Sequence, residues 1–190
     1  MDTSRRQLER YAHYCNRFKI HEESYKDHQQ KLGPSIKEQV KLLESNRLRP
    51  STIRDGDWLI KAHQRLLCSR QVVSRSYAFA YYMFGGELRT QPAEKRNLAP
   101  AQNLFENQQE QLERHVEQLS KVLVADIPDM PDQQIVRMKQ DVVNLTKILE
   151  TLCREMYNCI EDELLPLLTE PMSIAMYMPD GPEKARLFSA

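Results

Sequence analysis

At 190 residues, with 41% hydrophobic and 28% charged side chains, the chain is long enough to enclose one core and too polar to be embedded in a membrane. Its 27 basic residues balance 27 acidic ones, so no overall field draws it to nucleic acid or to an anionic membrane. No apolar run approaches the ~18–20 residues of a membrane span.

The start, Met1-Asp2-Thr3-Ser4-Arg5-Arg6, has no apolar stretch behind it, so no secretory signal is expected. The first helical stripe comprises Leu8, Tyr11, Cys15, Phe18, Tyr25 and Leu32, with Thr3 or Ser4 as its cap. Gly33-Pro34 is expected to break or kink this helix, because proline lacks a backbone donor and restricts the residue before it. A shorter helix over residues 35–45 and a loop over 46–51, punctuated by Pro50, come next.

Asp55 or Asp57 is the expected cap of the second long helix. Leu59, Ala62, Leu66, Val73, Tyr77, Ala80 and Phe84 share one face of it, and Gly85-Gly86 ends it. The aromatics Tyr77, Phe79, Tyr81, Tyr82 and Phe84 read as core packing rather than a platform for bases, since no basic groove accompanies them. The cluster from Arg65 to Arg75 reads as a solvated helix face. Residues 87–100 form a polar connector without periodicity.

The third long helix carries Phe105, Leu112, Val116, Leu119 and Leu123, and the run Gln108-Gln109-Glu110-Gln111 lies on its exposed side. A proline-bearing turn over 127–132 follows, with Asp132 as the expected cap. The fourth helix presents Ile135, Met138, Val142, Leu145, Leu149, Leu152, Met156 and Cys159 in unbroken steps of three and four. Pro166 closes it. The predicted fold is all-α, an elongated antiparallel bundle of about four long helices spanning residues 1–168, with a mostly irregular C-terminal tail over 169–190.

Catalytic chemistry finds little support. Di-metal helical bundles use Glu-x-x-His pairs, yet Arg10, Phe18, Tyr25, Ile60 and Leu112 stand three residues before the five histidines. Cys15, Cys68, Cys153 and Cys159 never form a Cys-x-x-Cys pair, which leaves zinc, a disulfide framework and any other cofactor unsupported and suits reduced thiols in the cytoplasm or nucleus. Phosphate-loop and nucleophile-elbow motifs are absent from the sequence.

Three stretches carry a family resemblance: Arg10-Tyr11-Ala12-His13-Tyr14-Cys15-Asn16-Arg17-Phe18, Ser76-Tyr77-Ala78-Phe79-Ala80-Tyr81-Tyr82, and Asn103-Leu104-Phe105-Glu106-Asn107-Gln108-Gln109-Glu110-Gln111-Leu112-Glu113. In this order they resemble the Ariadne domain, the helical C-terminal module of the Ariadne class of RING-between-RING ubiquitin ligases. Tyr82-Met83-Phe84-Gly85-Gly86-Glu87-Leu88, the run from Leu152 to Glu161 and the ending Phe188-Ser189-Ala190 are similar to plant members.

The resemblance implies a non-catalytic regulator, because this module folds over the catalytic zinc domain of the ligase until a neddylated cullin-RING complex releases it. It also implies protein-binding roles for Arg17, Glu106 and Glu117, whose residue types match the family pattern. At Asp27-His28 the chain departs, since family members carry an apolar or aromatic residue followed by glutamate. Weaker occlusion of a partner's catalytic domain is the expected result. The zinc domains themselves have no counterpart in the sequence, so a freestanding or integrated decoy that binds another protein through the same surface is the alternative.

Overall fold

The computed structural model describes residues 3–85 and 99–167. Six α-helices follow one another: α1 (Thr3–Asp27), α2 (Gly33–Ser45), α3 (Ser51–Arg54), α4 (Asp57–Gly85), α5 (Ala99–Leu123) and α6 (Asp132–Asn158). Among the described residues there is no β-strand. The four long helices hold 25 to 29 residues, so each runs about 40 Å and the bundle is elongated.

Helix α4 touches α1, α5 and α6. The direction of each pair follows from its side-chain contacts. His63, Arg70, Ser74 and Tyr81 of α4 meet His28, His21, Phe18 and Arg10 in reverse order, so α1 is antiparallel to α4. Tyr77 and Arg70 likewise meet Glu113 and Glu117 of α5 in reverse order. Arg65 and Ser69 meet Glu150 and Cys153 in the same order, so α6 runs parallel to α4.

The α5 stripe is buried throughout: Phe105, Leu112, Val116, Leu119 and Leu123 are all inaccessible to solvent. Gln109 completes it, donating from Nε2 to Ser76 Oγ at 2.7 Å within the core. On α6, Ile135, Val142, Leu149, Leu152 and Met156 are buried, as is Cys159 just beyond it, while Met138 and Leu145 pack at the margin. Each fully buried side chain of this kind contributes roughly 1.5–3 kcal/mol. Pro166 falls in the terminal turn, after a π-helical stretch Cys159–Leu164 and within the 3-10 turn Leu165–Leu167.

Helix α1 differs from the expected stripe. Leu8 and Tyr11 are exposed, and the face turned inward carries Tyr14, Phe18, His21, Tyr25, His28 and Leu32, again in steps of four and three. Two of those positions are histidines. No hydrophobic side chain within Thr3–Asp27 is among the fully buried ones.

Gly33-Pro34 does not break the chain either. The helix widens into a π-helical stretch, His28–Leu32, where the Gly33 N–H reaches back to the His28 carbonyl. Pro34 then sits in the first turn of α2, where a missing donor costs nothing. His63 Nε2 lies 2.9 Å from the same His28 carbonyl, and its ring rests against Gly33.

At the opposite pole, Arg49 donates from Nη2 to the carbonyls of Pro128 (2.9 Å) and Met130 (2.8 Å), fixing the α5–α6 turn to the loop after α2. Pro131 occupies the cap position expected of Asp132, whose carboxylate instead faces Arg49. The Asp55 carboxylate accepts from the Asp57 N–H and from Lys139 Nζ, and these bonds hold its pKa below the usual value. Residues 86–98, most of the expected connector, and the tail 169–190 lie outside the described residues.

Candidate functional site

A continuous polar seam runs between α1 and α5 along the flank of α4. Glu113 of α5 is its centre. One carboxylate oxygen accepts from the Tyr77 hydroxyl at 2.5 Å and the other pairs with the Arg17 guanidinium. Arg17 Nε also donates to the Tyr77 oxygen at 3.2 Å. The His21 ring stacks on Tyr77 with centroids 5.8 Å apart, and its Nε2 lies 3.4 Å from Glu113 Oε1.

The next turn carries a charge into the interior. Arg70 is 2% exposed and donates from Nη1 to His21 Nδ1 at 3.0 Å and to Glu117 Oε1 at 2.6 Å. A guanidinium in a protein offers only donors, so His21 Nδ1 must accept and the ring proton sits on Nε2, toward Glu113. The buried cation is thereby paired with a carboxylate and a ring nitrogen.

These contacts set the protonation of the seam. Burial alone would raise the Glu113 carboxyl, yet the His21 and Tyr77 contacts and the Arg17 charge outweigh it and bring the group down to about 2. Burial, reinforced by the bond to Glu113, pushes Tyr77 up to about 12. The Arg70 bond lowers Glu117. His28 is lowered by its own burial and by the Arg70 charge.

Arg17, His28 and Glu117 come together on this seam. Arg17 and Glu117 are committed to the bonds just described. His28 is 9% exposed and faces α5, with Nε2 3.0 Å from Ser120 Oγ, so it lines the interior rather than the surface. Asp27 borders the seam on the exposed side and pairs with Lys31 one turn on. Glu106 is exposed nearer the start of α5, where Gln102 Nε2 donates to it at 2.7 Å. Sequence reasoning missed His21, Arg70, Tyr77 and Glu113 as partners. The Arg65 to Arg75 cluster is not a solvated face: Arg65 is 6% exposed and reaches toward Glu150, Arg70 is enclosed, and only Arg75 of the three is exposed.

The aromatics near the end of α4 divide by side. Phe79 and Phe84 pack on Phe105, with centroids 5.7 and 5.5 Å away. Tyr81 and Tyr82 line a shallow apolar groove of about 160 Å³ with Tyr11, Tyr14, Cys15 and Phe18 of α1. Arg10 caps it, its guanidinium 4.4 Å from the Tyr81 ring centroid. Among the described residues no group of three or more His, Cys, Asp or Glu side chains is placed to hold a metal ion. No described helix is long and apolar enough to cross a membrane.

The family model for the Ariadne domain matches residues 9–190. The chain belongs to the Ariadne domain family. It is similar to ARI4 and ARI3 of Arabidopsis thaliana, both named as E3 ubiquitin-protein ligases, at 41% identity over 193 residues and 39% over 191, in each case covering the whole chain. It is also 30% identical to the E3 ubiquitin-protein ligase ariadne-1 of Drosophila melanogaster over 149 residues, covering 78% of the chain and 26% of that protein. The chain spans about a third of the Arabidopsis relatives' length, 36% of ARI4 and 35% of ARI3. No solved structure gives a significant match.

The three stretches that identify this Ariadne domain in sequence meet in space. The first supplies Arg10, Tyr14 and Arg17, the second Ser76, Tyr77 and Tyr81, and the third Phe105, Gln109 and Glu113. Their contacts with one another supply the Arg17–Tyr77–Glu113 centre of the seam.

Proposed function

We propose that this Ariadne domain is a non-catalytic docking module of a RING-between-RING ubiquitin ligase, which covers the catalytic zinc domain until a neddylated cullin-RING partner draws it away. The observation that carries this reading is the family match over residues 9–190, joined to relatives named as ligases of which the chain spans about a third. Free thiols at all four cysteines suit the cytoplasm or nucleus.

The docking surface is the α1–α5 seam and its border. Asp27, exposed there, is the contact residue that departs from the family pattern, and the Glu117 side chain stays 44% exposed while its carboxylate holds Arg70. His28 supports the surface from beneath through Ser120. Glu106 and Arg17 extend the same strip toward the other pole. Occlusion within one ligase needs little affinity, because a tethered contact acts at an effective concentration near the millimolar range. A releasing partner needs a preference of about 5.5 kcal/mol for the open form to reverse the balance almost completely. An aspartate at position 27 must be desolvated on docking, which weakens closure.

The test is inhibition in trans. The purified chain is added to the catalytic zinc domain of a related ligase while ubiquitin discharge is followed. Inhibition that a neddylated cullin complex relieves supports the proposal, and none at saturating chain overturns it. Asp27→Leu is expected to inhibit more strongly than the natural sequence; equal potency removes Asp27 as the cause of weak closure. Asp27→Leu is a cleaner probe than a change that includes His28→Glu, which would place a second carboxylate near Glu117 inside the seam.

A further inference from the structure

We infer that α1 undocks from the α4–α5–α6 core as a unit, well below the free energy of global unfolding. The reason is what fills its interface. Helices α4, α5 and α6 each bury a row of aliphatic and aromatic side chains, whereas α1 contributes no fully buried hydrophobic side chain between Thr3 and Asp27. Its most enclosed residue is His21, at 1% exposure.

Helix α1 lies close against α4, with the Phe18 carbonyl 3.4 Å from Ser74 Oγ. The small side chains Ser74 and Ala78 permit that approach, and the apolar side chains α1 brings to it, Tyr14 and Phe18, are only partly buried. The enclosed fastenings of α1 are polar: Arg17 on Glu113 and Tyr77, and His21 on Arg70 and Glu113, with Tyr14 and Phe18 packing only at the margin of the core.

Opening such a seam returns water to the Arg17 and Arg70 guanidinium groups, the Glu113 carboxylate and the His21 imidazole. Their recovered solvation offsets much of the lost pairing. Separating α5 from α6 has no such offset, because it would expose Phe105, Leu112, Val116 and Leu149 to water. The divide falls after Asp27. Leu32, Ile36 and Leu43, immediately beyond, are buried, so α2 stays with the core when α1 leaves.

Opening uncovers the α4 and α5 faces that carry Arg70, Tyr77 and Glu113. The inference rests on the packing of this chain alone. Failure to inhibit a zinc domain would leave it standing, and its own failure would leave that docking intact.

Native-state hydrogen exchange on the full 190-residue chain tests it. Amides of residues 14–24 are expected to exchange at least about tenfold faster than those of residues 149–153, through an opening whose denaturant dependence they share with one another and which is weaker than that of residues 149–153. The variant Ile135→Val loosens the core far from α1. It should speed exchange at residues 149–153 by about twofold to tenfold and leave residues 14–24 unchanged. Equal protection of the two segments, or acceleration of both by the same factor in Ile135→Val, shows that α1 opens only with the whole bundle and overturns the inference.

Discussion

The Tyr77 hydroxyl donates to Glu113 at 2.5 Å while the Arg17 guanidinium holds the other oxygen of the same carboxylate, so one side chain of α5 fastens both α4 and α1. The arrangement predicts a pH dependence. Glu113 titrates at about 2 when folded against an ordinary value of 4.5, so the unfolded chain takes up the proton first. Its contribution is therefore complete above about pH 4.5 and is lost as pH falls toward 2. Glu113→Gln should cost about 1–3 kcal/mol in urea denaturation near neutrality, and the difference from the natural chain should shrink as the acid range is entered.

Glu117 has two expected roles, and they separate by measurement. Its carboxylate pairs with a guanidinium that is only 2% exposed, so Glu117→Ala leaves Arg70 short of a partner before any ligase is present. The isolated domain should lose about 1–2 kcal/mol of stability, less than for a fully buried pair because Glu117 is partly open to water. A thermal melt of the variant that matches the natural chain would remove the structural role.

Gly56 predicts a packing conflict. A methyl group at that position would meet the Val40 side chain at 2.8, 3.0 and 3.2 Å, and Val40 is anchored on α2. Gly56→Ala should therefore destabilise by about 1–3 kcal/mol, and Val40→Ala in the same chain should recover part of the loss. Denaturant midpoints of the three variants check this; additive losses would mean that the two sites do not touch.

The thiols should fall into two classes. Burial, with the charge of Glu163 nearby, pushes Cys159 up to about 11, and Cys153 is fully enclosed beside Ser69. Cys15 and Cys68 are only partly buried. Alkylation followed by intact mass should show two modified thiols well before the other two. Early labelling of Cys159 would contradict the packing of the π-helical end.

The sequence revealed those parts of the fold in which burial and hydrophobicity coincide. The α5 and α6 stripes and most of the α4 face are where periodicity put them, because aliphatic side chains at helical spacing have one stable place to go. Helix α1 shows the limit. The inward face that begins on α1 includes His21 and His28, which look like surface residues, whereas Leu8 continues the apolar spacing and yet is exposed. Arg70 lies in a run of basic residues, a pattern that ordinarily marks a solvated face. Its carboxylate partner is 47 residues away in sequence, so the burial cannot be read locally. A break or kink at Gly33-Pro34 follows from proline rules that assume an α-helical turn, and the wider turn at His28–Leu32 carries the helix through without a break.

The alternation of helix directions has a consequence for the architecture of any longer protein that contains this module. Arg10 lies over Gly85, and Leu104 shares a pocket with Cys159, so the start of α1, the end of α4, the start of α5 and the end of α6 all gather at one pole. Thr3 and Leu167 therefore sit at the same extremity. Joining them through a short linker and reopening the chain at the α5–α6 turn would yield a circular permutant with every interhelical contact retained. A domain joined just ahead of Thr3 would leave from that pole, with the α5–α6 turn at the other.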